Sequence, residues 1–160
     1  DIPGRAMLVE ALGDNAGGEN TGPYAAEMED RIAANRSRLL DMLARFDDLA
    51  ARVRDETQLV ITHGEPHVAN VVHSEAGPVL IDWDTVRWAP RERDLWWLPG
   101  ESWRKAYGPD QPISEQAIEM YRLRWTLFDV ADFVPTLTAA PESTPDLQVA
   151  IEWVRKLLPL

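Results

Sequence analysis

The chain has 160 residues, with 27 acidic against 16 basic and a net charge of −11. Hydrophobic residues make up 45% and include seven Trp, which excludes wholesale disorder and leaves enough apolar matter for a core. The acidic balance argues against non-specific nucleic-acid binding and for small cationic ligands, and the absence of cysteine excludes disulfides, thiolate metal sites and Cys nucleophiles.

No apolar run approaches the ~18 residues of a membrane span, and no basic n-region with an apolar stretch opens the chain. No membrane partner is expected, and the cytoplasm is the compartment that fits. Residues 1–23 read as a leading segment. Ala6 to Leu12 would make one or two helical turns, and the glycine-rich run from Gly13 to Pro23 an exposed loop. From Tyr24 to about Asp55 the apolar period becomes helical. Met28, Ile32, Leu39, Leu43, Phe46, Leu49 and Val53 form one stripe, which reads as one long helix or as two abutting ones that meet near Asn35-Arg36-Ser37. Three β-rich runs follow: Leu59 to Thr62, Asn70 to Ser74 and Pro78 to Trp83. Glu75-Ala76-Gly77 closes the last two into a hairpin. After Trp88 the pattern predicts helix from Arg91 to Leu98, stopped by Pro99-Gly100. Ser114 reads as the N-cap of a long helix with Ile118, Tyr121, Trp125, Phe128 and Ala131 on one face. Thr144-Pro145 reads as an N-cap and first turn for a last helix burying Leu147, Ile151, Val154 and Leu158. The fold class is α+β: a mostly helical body carrying a small β-hairpin.

The polar residues that could carry chemistry fall between Thr62 and Asp94. His63-Gly64-Glu65-Pro66-His67-Val68-Ala69-Asn70 joins two strands, and Pro66 makes it a loop rather than a helix. The hairpin returns the chain to Ile81-Asp82-Trp83-Asp84, so Asp82 is expected near Asn70 and Glu65. Asn70 and Asp82 would offer oxygen ligands to a hard cation such as Mg²⁺ without filling its shell, leaving room for phosphate. Glu65 remains as a base toward a hydroxyl nucleophile. Such a set suits phosphoryl transfer.

The spacing of His63, Glu65 and Asn70 resembles the catalytic loop of protein kinases. With Gly64 and His67 it is similar to the H-G-D-x-H-x-x-N loop of the aminoglycoside phosphotransferases and their choline-kinase-like relatives. Ile81-Asp82-Trp83 resembles their metal-binding strand, and Arg93-Asp94-Leu95 their later D-L element. The resemblance runs from about Tyr24 onward. It implies a kinase-like C-terminal lobe over residues 24–160 and an ATP-dependent phosphotransferase that acts on a hydroxyl of a small molecule, amino-sugars among the candidates. It assigns the base to Glu65, Mg²⁺ and ATP binding to Asn70 and Asp82, loop support to His63 and His67, and a structural role to Asp94. Asp84, Trp83 and Trp88 are candidates for acceptor contact, although ordinary packing is the simpler expectation for the tryptophans.

Two departures stand out. The base position holds Glu where the family usually has Asp. No lysine precedes His63, since the only two are Lys105 and Lys156. The nucleotide-binding N-terminal lobe is therefore expected to be absent from the chain, with that lobe or self-association as a partner. Two other readings use the same residues. One is a non-catalytic small-molecule-binding module. The other is a transition-metal site of His63, Glu65 and His67 with Asp82 as a fourth ligand. Glu92, Asp129 and Asp132 could attract an amino-sugar, with a solvated helix face as the simpler expectation. His73 is expected at the surface.

Overall fold

The computed structural model describes residues 1–13, 22–56, 58–108 and 110–160. The chain is α+β and mostly helical. In order it forms α1 (Arg5–Ala11), α2 (Ala25–Glu56), β1 (Leu59–Thr62), β2 (Val71–Ser74), β3 (Gly77–Leu80), β4 (Arg87–Pro90), α3 (Glu92–Leu95), α4 (Ser102–Tyr107), α5 (Glu115–Ala139) and α6 (Pro145–Leu157). Among the described residues no helix is long and apolar enough to cross a membrane. Most of the glycine-rich loop expected between Gly13 and Pro23 lies outside the described residues.

Residues Asp1–Asp47 and Leu123–Leu160 form one compact unit, and Asp48–Arg122 a second. The first is helical. Ile2, Leu8 and Leu12 are buried, as are Met28, Ile32, Leu39, Leu43 and Phe46 along the stripe of α2. Of the two readings, one long helix is the one found: α2 runs unbroken through Asn35-Arg36-Ser37, where Asn35 and Arg36 have partners that suit a continuous helix. Arg36 Nε donates to Leu12 O at the end of α1, 2.7 Å away. Arg31, Asn35 and Arg38, spaced at helical intervals, donate to Leu158 O, Pro159 O and Leu157 O at 2.6, 2.9 and 2.8 Å. Those carbonyls at and beyond the end of α6 have no helical N–H left to accept from, so the side chains of α2 satisfy them. The N-terminus of α6 is capped by its own sequence: Thr144 Oγ1 accepts from Leu147 N at 3.3 Å, with Pro145 in the first turn.

Along α5 full burial falls on Ala117, Ile118, Met120, Leu127, Val130, Ala131, Val134 and Leu137, so Ile118 and Ala131 of the expected face are buried whereas Tyr121, Trp125 and Phe128 are half-buried. The helix is apolar on more than one side, so a single stripe does not identify its inner face. Asp129 is buried, where a solvated face was expected. It accepts a hydrogen bond from Trp153 Nε1 at 2.8 Å, which compensates its burial.

The second unit holds two small antiparallel ribbons. β1 pairs with β4, Leu59 opposite Pro90 and Thr62 opposite Arg87. β2 pairs with β3, Val71 opposite Leu80 and Ser74 opposite Gly77. Strand β4, just ahead of the helix expected from Arg91, has no counterpart in the sequence reading; four residues ending in Pro carry little local signal, and their partners lie 25 to 31 residues upstream. Helix α3 is a single turn rather than the eight residues expected, and α4 was not foreseen. The third β run stops at Leu80 instead of reaching Trp83, because Asp82 takes a left-handed conformation (φ 65°) that no strand accommodates. Asp and Asn tolerate this region better than most residues. Glu92, also expected on a solvated face, is buried and accepts from Ser114 N at 2.9 Å. Ser114 caps α5, its Oγ accepting from Ala117 N at 3.2 Å.

Candidate active site

The first three residues of the loop after β1 are tied down at every backbone polar group. The Asp94 carboxylate accepts from His63 N (2.8 Å, Oδ2) and Gly64 N (2.7 Å, Oδ1). Trp97 Nε1 donates to Gly64 O at 2.9 Å, and Thr85 Oγ1 to His63 O at 2.7 Å. Glu65 N donates to His63 Nδ1 at 3.2 Å. His63 is buried, and its other ring nitrogen lies 2.8 Å from Ile81 O. A neutral ring protonated on Nε2 satisfies both contacts at once. Gly64 has φ 103°, and a Cβ placed there would overlap the Arg93 guanidinium. Only glycine meets both conditions.

From this frame three oxygen-bearing side chains emerge. Glu65 is half-buried, and no described residue bonds its carboxylate. Asn70 ends a 3-10 turn (Val68–Asn70), with Nδ2 donating to Glu65 O at 2.9 Å. That bond fixes the amide so that Oδ1 is the atom left over for a ligand. The β2–β3 ladder continues one step past its last residue pair, Ile81 N donating to Asn70 O at 2.9 Å. Asp82 is therefore the residue just beyond the cross-strand partner of Asn70. Its side chain is exposed and, among the described residues, without a hydrogen-bond partner. One amide oxygen and one carboxylate, both uncommitted, fit a hard divalent cation that takes its other ligands from phosphate and water.

His67 is half-buried, its ring edge-on to Trp97 at 5.2 Å and its Nε2 3.5 Å from Asn70 Nδ2. Trp83 stands edge-on to His63 at 4.7 Å and donates from Nε1 back to Leu80 O at 2.9 Å. It is 49% exposed and Trp88 is 66% exposed, so plain packing, the simpler expectation for both, does not describe them. Trp88 sits on the open face of the β1–β4 ribbon, opposite Ile61, away from the loop's hydrogen bonds. Asp84 is exposed and is not brought into the frame by any hydrogen bond. Trp96 and Trp97 lie against each other, centroids 4.2 Å apart, and Trp97 is the one turned to the loop. The transition-metal arrangement is not formed. Both ring nitrogens of His63 are engaged by backbone, and among the described residues no three His, Asp or Glu side chains converge on one point.

Residues 10–117 match the family described as phosphotransferase enzyme family (APH). The chain belongs to this family. Protein StrN of Streptomyces griseus is 32% identical over 159 residues, which cover 97% of this chain and 47% of StrN. Two solved structures of spectinomycin phosphotransferase, APH(9)-Ia, share the fold. One is a complex with ADP and spectinomycin (TM-score 0.73, 18% identity, 96% of this chain and 50% of that one). The other is bound to AMP (TM-score 0.70, 18% identity, 98% and 51%). The chain thus spans about half the length of the relatives it matches.

Sequence reasoning missed four members of the frame: Thr62, Thr85, Arg93 and the specific role of Trp97. Arg93 is 5% exposed, donating from Nη1 to Thr62 Oγ1 at 2.8 Å and from Nη2 to Thr85 O at 2.9 Å. In a run reading Arg-Glu-Arg-Asp the burial of the second arginine leaves no local trace. The glycine at 64 was the one available clue that something bulky sits against the loop.

Proposed function

We propose that this chain is the catalytic and acceptor-binding part of an ATP-dependent phosphotransferase, a kinase-like C-terminal lobe whose hairpin region carries the catalytic loop and the metal-binding carboxylate. The γ-phosphate would pass to a hydroxyl of a small cationic molecule of the amino-sugar or aminocyclitol kind. The observation that carries the reading is the pairing of Glu65, whose backbone N–H and C=O are both bonded, with two uncommitted oxygen ligands, Asn70 and Asp82, on the adjoining hairpin ends. The nucleotides and spectinomycin held by the structural relatives, and the net charge of −11, support the substrate classes.

In the reaction Glu65 accepts the proton of the acceptor hydroxyl. The oxygen bonds to the γ-phosphorus as the bond to the bridging β–γ oxygen breaks, and ADP leaves. Asn70 and Asp82 are the residues that would hold Mg²⁺, which supplies neutralisation of the phosphate charge in this chemistry. His63 keeps the loop in register with Ile81. His67, braced by Trp97, supports the loop beside Asn70. Asp94 acts on the loop backbone alone. Trp83, exposed next to the site, is the aromatic surface an acceptor would meet; Trp88 and Asp84 are weaker candidates for the same role.

The test is Mg²⁺-dependent transfer from ATP to a panel of amino-sugars and aminocyclitols, with the chain alone and fused to the nucleotide-binding part of a relative. Transfer that Asp82→Ala abolishes supports the assignment. If neither form transfers phosphate while the chain still binds amino-sugars, it is a non-catalytic binding module. If transfer survives Asp82→Ala undiminished, Asp82 does not hold the metal.

A further inference from the structure

The frame around the loop contains a device that none of the assigned roles requires. Asp82 lies in a left-handed, exposed turn where, among the described residues, its side chain has no hydrogen-bond partner, yet residues on both sides of it are bound to the Glu65 loop. On one side Ile81 O meets His63 Nε2 at 2.8 Å. On the other, Thr85 bonds twice: its hydroxyl donates to His63 O at 2.7 Å, and its carbonyl accepts from Arg93 Nη2 at 2.9 Å. The same guanidinium reaches Thr62 Oγ1 at 2.8 Å, and Thr62 Oγ1 donates in turn to Arg87 O at 3.0 Å.

We infer that Thr85 and Arg93 are positioning residues that tie the Asp82 turn to the Glu65 loop. The inference rests on the phosphotransfer reading for its functional half only. The chemistry favours a tie over simple filling of space. Arg93 uses a planar fork to hold two segments that are 23 residues apart in sequence at one separation, which a lysine cannot reproduce. Thr85 spends a hydroxyl on a backbone carbonyl of the loop when water was available to its half-buried side chain. Reactions that depend on groups from two loops lose rate steeply when those loops drift by an ångström.

The test compares Thr85→Val, Thr85→Ser and Arg93→Lys, with Thr85→Val as the decisive variant because it keeps the shape and is least prone to unfold. Amide hydrogen exchange on the chain reads the tie directly. Thr85→Val should speed exchange at His63, Gly64 and Glu65 about tenfold, while the β1–β4 ladder at Val60 and Ala89 stays within about twofold, and Thr85→Ser should restore the loop. In the transferring form of the protein, kcat should fall about tenfold or more with the acceptor KM within about twofold, and serine should again restore it. Equal acceleration of the ladder and the loop would make Thr85 merely structural and overturn the inference. So would a loosened loop with unchanged kcat. If the wild-type protein transfers no phosphate, the phosphotransfer reading fails, while the exchange comparison still decides whether the tie exists.

Discussion

At Gly64 two demands meet that no other residue satisfies: a backbone φ of 103° and a Cα set against the Arg93 guanidinium. Gly64→Ala would incur left-handed strain and overlap with a side chain that is itself hydrogen-bonded and cannot swing away. We expect it to lose about 3 kcal/mol of stability, read as a lower urea midpoint at constant slope. Glu65 makes the complementary case, since no described residue bonds its carboxylate. Glu65→Gln should leave the urea midpoint within about 0.5 kcal/mol of wild type while lowering kcat by about a hundredfold or more. If the two variants changed places, stabilising roles would have to be reassigned across the loop. The residues proposed to carry the chemistry could be picked out from the sequence because His63, Glu65, Asn70 and Asp82 stand at short spacings. Thr85, Arg93 and Trp97 could not, because their bonds cross 8 to 33 positions and nothing near them in sequence reports the partner.

Elements differ in how much of their stability is local. The stripe of α2 is readable because periodicity is a property of the helix itself, but the fate of its polar residues depends on the far end of the chain. Arg31, Asn35 and Arg38 have no legible partners in the sequence until the carbonyls of Leu157, Leu158 and Pro159 are brought alongside. Burial then ranks them. Arg31 is 9% exposed, bonding Leu158 O and Glu27, whereas Arg38 is exposed. Arg31→Met should cost about 2 kcal/mol by stranding a buried carbonyl, and Arg38→Met under about 0.5 kcal/mol, both measured by denaturant unfolding. The strand β4 was missed for the reverse reason. Its four residues have no period long enough to detect, and pairing with β1 alone defines them.

On the scale of the whole chain, a net charge of −11 sets up self-repulsion that acidification relieves, so mild acid by itself should favour folding. The carboxylates held in ion pairs work against that trend. Glu27 accepts from Arg155 at two points, each 2.8 Å, and from Arg31 at 2.8 Å. The hydrogen bonds from Arg155 above all hold its pKa down to about 2, from an ordinary value of 4.5, and Asp47 is lowered in the same way by its hydrogen bonds from Arg5. A carboxylate depressed on folding contributes stability that is complete above its unfolded pKa and disappears as the pH falls through the folded one. For Glu27 that window runs from about 4.5 down to about 2. Because the pair is partly open to water, its contribution at neutral pH is about 1 kcal/mol rather than the whole of the shift. Urea unfolding at a series of pH values should therefore show stability holding to about pH 4.5 and then falling. Glu27→Gln should lower the neutral plateau by about 1 kcal/mol and converge with wild type near pH 2. Parallel curves for the two proteins down to that pH would mean that the ion pair does not hold α2 and α6 together, and that the acid limb belongs to other carboxylates.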